Sequence, residues 1–140
     1  MTVHIKLFAK KYWLRRFGEQ REVKGYLTAS YVDYVVSVNV HPMGSDALQA
    51  LPEGERSVKR LEGHGDHEFV VADRNANTKG DLLLYHGEWY ECVACQRWDH
   101  TVLSHFNYQF VLVPKDGGGE YDIKNAPHED PSGQKESVLI

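Results

Sequence analysis

The stretch from Asp81 to Pro114 constrains the fold more than any other part of this 140-residue chain. Asp81 to Tyr85 is apolar after its first residue, His86-Gly87 follows, and Glu88 to Cys95 resumes a run rich in Trp, Tyr and Val. Two residues between such runs fit a tight β-hairpin, and glycine at the second turn position supplies the positive φ that the turn requires. After a break at Asp99-His100, a third strand is predicted from His105 to Val113. Its Phe106, Tyr108, Phe110 and Leu112 share one face, and Asn107 and Gln109 lie opposite. Pro114 closes it, because proline has no N–H to give to a ladder. These strands set the expectation of a small, mainly β domain.

Upstream, Val32, Tyr34, Val36, Val38 and Val40 alternate with Asp33, Ser37 and Asn39, so Tyr31 to Val40 reads as a half-buried strand ended by His41-Pro42. Ser45 then opens a short helical signal through Leu51. Serine suits the N-cap, Asp46 suits the positive end of the helix dipole, and Pro52-Glu53-Gly54 stops the helix. Ala47, Leu48 and Leu51 share its apolar face. Ser57 to Leu61 and Glu68 to Val71 are predicted strands separated by a polar turn around Gly63–Asp66, and Asp73 to Gly80 reads as a loop. Val3, Ile5 and Leu7 suggest a short first strand, whereas residues 9–30 are basic and aromatic without a clear period. From Lys115 onward, Gly117-Gly118-Gly119 and polar residues compose a segment too poor in apolar surface to fold alone, although it ends in Val138-Leu139-Ile140. The expected organisation is an arm over residues 1–30, a core domain over 31–114 and an extended arm over 115–140.

The formal charge is −4, which argues against a phosphate-gripping surface as the main feature. No apolar run approaches the ~20 residues of a membrane helix. Two cysteines without an apolar leader point to reduced thiols and a cytoplasmic site of synthesis.

Four residues have the chemistry of a zinc site: His64 and His67, then Cys92 and Cys95. Residues three apart in a regular strand point to opposite faces, however, and Val93-Ala94 offers no glycine turn, so the cysteines read better as small buried residues. No metal and no cofactor are expected. Asp99, His100 and His105 read as strand-end and loop residues, and no nucleophile elbow, phosphate loop or spaced carboxylate pair is present in the sequence. The early cluster of Trp13 with Lys10, Lys11, Arg15 and Arg16 could stack on and neutralise nucleic acid. In an acidic chain, it reads better as an arm that packs on a partner.

Val38 to Val113 resembles the head-closure or head–tail joining proteins of tailed bacteriophages. The likeness is carried, in order, by Val38-Asn39-Val40-His41-Pro42-Met43, a short helix running into Leu51-Pro52-Glu53-Gly54-Glu55-Arg56, Asp81 through Glu91, Trp98-Asp99, and His105-Phe106-Asn107-Tyr108. The resemblance implies a small β-barrel-like or β-sandwich domain with one short helix, a long loop and extended arms. It further implies a structural, non-enzymatic virion protein. Copies would form a hexameric or dodecameric ring in the neck, between the portal-side adaptor and tail-side proteins, with DNA passing through the lumen without specific binding. Expected subunit or partner contacts are Trp13, Arg15, Arg16, Leu48, Leu51, Glu55, Arg56, Val138, Leu139 and Ile140. A tail terminator or tail-completion ring protein shares this logic, and a small His/Cys zinc-binding domain is the alternative from another class.

Overall fold

The computed structural model describes residues 9–23, 26–55, 58–73, 75, 78–99, 104–114, 126, 127 and 131. The expected strand at Val3–Leu7 lies outside them. Six strands are defined: β1 (Lys10–Val23), β2 (Tyr26–Pro42), β3 (Arg60–Gly65), β4 (Leu82–Tyr85), β5 (Glu88–Asp99) and β6 (Ser104–Leu112). They close into an antiparallel barrel in the order β1-β2-β3-β6-β5-β4, which selects the barrel over the sandwich. A helix, α1 (Ser45–Gln49), and a 3₁₀ turn (Glu53–Glu55) lie between β2 and β3. Gly44, rather than Ser45, takes the N-cap position of α1.

The predicted hairpin forms as β4 and β5. His86 and Gly87 both have positive φ, at 48° and 79°, so the turn bends with the twist of the strands it joins. Alternation on every strand sends one set of side chains inward, where Leu14, Val36, Val38, Leu61, Leu83, Tyr90, Cys92, Tyr108 and Phe110 form the core. The inner face of β3 is unusual in carrying glycine. A Cβ on Gly63 would sit 2.2 Å from the Asn39 carbonyl oxygen, and one on Gly65 would crowd Val38 and the Tyr108 hydroxyl. The polar turn expected here is therefore strand, with glycine permitting close backbone approach and room for Tyr108.

Residues 9–23 and 26–30 contain more order than their irregular period suggests. β1 pairs with β2 from Lys10↔Val38 to Val23↔Tyr26, with a register shift between Phe17 and Gln20. That pairing makes β1 a barrel stave. Glu68–Val71, expected as a strand, has no regular ladder and instead turns into the barrel end. Phe69 is 3% exposed and meets Tyr108 and Phe110 edge-on, with ring centroids 4.6 and 5.2 Å away. Tyr108 donates its hydroxyl hydrogen to the His67 carbonyl. Burial of one aromatic ring, worth about 2 kcal/mol or more, outweighs the short ladder this segment could have formed.

β4 is short, and its neighbours run on without it. It meets β1 only from Trp13 to Arg15 and β5 only from Glu88 to Glu91. Beyond these points the β1–β2 and β5–β6 ribbons continue to Val23↔Tyr26 and Asp99↔Ser104. Because β1, β3 and β5 run the same way, both ribbon tips and the inturned segment lie at one end of the barrel. The His86-Gly87 turn and α1 lie at the other.

Candidate partner-binding surfaces

Arg15 and Arg16 were expected on a partner surface; the fold engages both internally. Arg15 is 0% exposed on the outer side of β1. Its Nε and Nη2 donate to the two Asp33 carboxylate oxygens at 2.7 and 2.9 Å, across a direct β1–β2 pair. The guanidinium lies 3.9 Å from the centre of the Tyr31 ring and 4.6 Å from that of Trp89. Trp89, Leu82 and Val113 form a second small core outside the barrel wall, joined by Phe17, Leu84 and Ala126. Thus at least one residue of the C-terminal arm, Ala126, is packed against the domain.

Arg16 points the other way. Its Nε and Nη2 donate to the Asp81 carboxylate at 3.0 and 2.8 Å, and the same Asp81 accepts the Val70 N–H at 2.8 Å. The Asp81 N–H donates to the Val70 carbonyl at 2.9 Å. Asp81, 1% exposed, therefore fastens the segment bearing Phe69 to the barrel end. The Asp81 hydrogen bond raises the Arg16 pKa, against the opposing effect of burial. Such a charge-assisted, bidentate pair is directional enough to fix a loop.

Trp13 is half-buried and lies between Val35 on β2 and Leu84 on β4. Leu48 and Leu51 remain half-exposed on and after α1, which has no fully buried residue, and Glu55 ends the 3₁₀ turn. Arg56, Val138, Leu139 and Ile140 lie outside the described residues. Two exposed apolar residues on the barrel strands escaped the sequence reading, Val32 at 53% and Trp98 at 45%. Both sit on the ribbons at the end where those extend past β4. Val32 hid within a run of core valines. Trp98 carried a signal in its neighbours, since Gln96, Arg97 and Asp99 leave it in a polar stretch.

The barrel wall separates His64 from the two cysteines, whereas His67 lies in the inturned segment on the core side. A bulge places Cys92 opposite Phe110 but Ala94 opposite Gln109 and Cys95 opposite Tyr108. Val93 is the extra residue, and it corrects the expectation that Cys92 and Cys95 face opposite ways: both turn toward the core. His64 lies on the outer face, with its Nε2 3.5 Å from Asn39 Nδ2, and His67 packs its ring on Phe69 in the inturned segment. Among the described residues, no three His, Cys, Asp or Glu side chains are gathered as a metal ion would require. Burial pushes the Cys92 thiol strongly upward. It raises Cys95 as well, against a lowering hydrogen bond from the Phe69 backbone.

No known family model matches the chain. It is 30% identical over 116 residues to a protein of Xylella fastidiosa (strain 9a5c) described as uncharacterized, an alignment spanning 80% of this chain and 79% of that protein. The chain belongs to the same family as the Xylella protein.

Proposed function

We propose that this protein is a structural subunit of the tailed-phage neck, a head-closure adaptor that assembles as a ring between the portal side of the capsid and the tail. The observation that carries the reading is the two ribbons, β1–β2 and β5–β6, that run past β4 at the same end of a filled barrel. A two-stranded ribbon is marginally stable alone in water and gains most by packing on another surface. The exposed Val32 and Trp98 on these ribbons supply apolar contact area. A ring needs one such surface repeated head to tail, so projecting ribbons suit it better than a pocket would. The order of segments between Val38 and Val113 that resembles head-closure proteins supports the neck as its location, and the acidic total suits a lumen through which DNA slides.

The test is assembly. Native mass measurement of the purified chain, alone and with tail-less capsids, should show a hexamer or dodecamer that forms on or with capsids. A protein that stays monomeric and leaves capsids unbound overturns the reading. Removing residues 117–140 should weaken assembly while leaving the barrel's cooperative unfolding in place.

A further inference from the structure

The outer face of β2, β3, β6 and β5 carries an ordered polar array. Cross-strand register aligns Asn39, His64, Asn107 and Gln96 in one row, and His41, Glu62, Gln109 and Ala94 in the next. Seven of these eight positions have planar hydrogen-bonding side chains, and none is Lys or Arg. Ala94 follows the Val93 bulge, and its lack of a side chain beyond Cβ leaves a dent in the array. The result is a cleft of about 330 Å³ on the sheet face, within the usual range for small-ligand sites. Several of its groups are held in place. Glu62 Oε1 accepts the Gly44 N–H at 3.3 Å and lies 3.8 Å from His41 Nδ1, and His64 reaches Asn39 at 3.5 Å. The next rung carries Trp98, stacked on His105 with ring planes 9° apart.

We infer that this cleft is a binding site for a neutral saccharide. Amides and imidazoles both donate and accept, and the Glu62 carboxylate accepts, which matches hydroxyl groups that do both. An anionic ligand would meet Glu62 with no Lys or Arg in the array to balance it. An apolar ligand would strip water from seven polar groups and return no hydrogen bonds. A peptide main chain presents its N–H and C=O groups along a single line. The array instead spreads its capacity over four strands, about 14 Å, and two rows about 7 Å apart, the footprint of a short, ring-shaped polyol. Trp98 and His105 then border the cleft with an aromatic ledge for the apolar face of a sugar ring. Neither the ring assembly nor the neck reading is needed for this site.

The experiment is a ¹⁵N–¹H titration of the full chain with maltotriose, cellotriose and triacetylchitotriose, each to about 20 mM, a range that detects millimolar affinity. At least one should give saturable shifts confined to the side-chain amides that line the cleft, those of Gln96, Asn107 and Gln109. Ala94→Leu, which fills the dent, should abolish them. Gln96→Ala, at an exposed position that cannot unfold the barrel, should weaken binding about fivefold, the loss of one or two hydrogen bonds. No saturable shift with any of the three sugars overturns the proposal. So do equal shifts with trialanine, which would mark a peptide groove, or shifts that persist unchanged in both variants.

Discussion

Arg15 and Arg16 are neighbours in sequence, and each grips a carboxylate with two hydrogen bonds, yet they hold different parts of the molecule. Arg15 faces outward and joins β1 to β2 through Asp33, beneath the Tyr31 and Trp89 rings. Arg16 faces inward and, through Asp81, ties the Phe69 segment into the barrel end. The partners differ in what they lose without arginine. Asp33 keeps 21% of its side-chain surface in contact with water, whereas Asp81 keeps 1%. Burial of the carboxylate, more than burial of the arginine, sets the cost of breaking each pair. The fully buried arginine thus belongs to the weaker of the two clasps.

The largest expected effect follows from that ranking. Arg16→Met leaves Asp81 charged and dry, and should lower unfolding free energy by about 3–5 kcal/mol in urea titrations. It should also release the Phe69 segment, seen as early amide exchange at Val70. Arg15→Met keeps the apolar stem and lets Asp33 turn to water, so its cost should be about 2 kcal/mol, from the lost charge-assisted bonds and ring contacts. A larger loss for Arg15→Met than for Arg16→Met would reverse the comparison.

A smaller effect separates the pairs by pH. Burial holds the His67 pKa below the ordinary value and the Arg16 charge lowers it further, against the raising influence of Asp81 and Glu68. The unfolded chain therefore takes up a proton near pH 6.5 that the folded chain refuses. The stability this represents is fully present above that pH and is lost as pH falls from there through the lower native value. His67→Gln should flatten this part of the stability–pH curve. Arg15→Met should leave the slope unchanged, and Arg16→Met should reduce it by removing a positive charge beside the imidazole. Equal slopes in all four proteins would show that His67 does not sense the inner pair.

The hairpin, the third strand and the strand around Val36 were legible because period-2 alternation and turn glycine are local signals. β1 was not, because both faces of its stretch 12–17 are covered. Leu14 and Arg16 go into the barrel while Trp13, Arg15 and Phe17 pack outside it, so no polar side alternates with an apolar one. Charge misled for the same reason, since an arginine buried against carboxylate and rings reads in sequence like one in solvent. The bulge at Val93 was equally hidden, because one extra residue changes which side chains share a face and leaves no compositional mark. Of the candidate contacts, Leu48 falls on α1, whereas Leu51, expected on the same helical face, lies beyond the helix end at Gln49. The polar array on the outer sheet depends on the register of four strands that are distant in sequence, and no local pattern encodes it.

The smallest predicted quantity is the coupling between the two arginines. Adjacent residues on a strand point to opposite sides of the wall, so Arg15 grips Asp33 beside Tyr31 and Trp89 while Arg16 grips Asp81 on the other side. Mutations without common partners add to within about 0.5 kcal/mol, and the Arg15→Met, Arg16→Met double mutant should lose the sum of the single losses to that tolerance. Because the double mutant could fall near the limit of stability, the cycle is best measured in a stabilising osmolyte, with all four proteins under the same condition. A coupling above about 1 kcal/mol would mean that the β1 backbone transmits strain between the outer core and the inturned segment, making the two clasps one device.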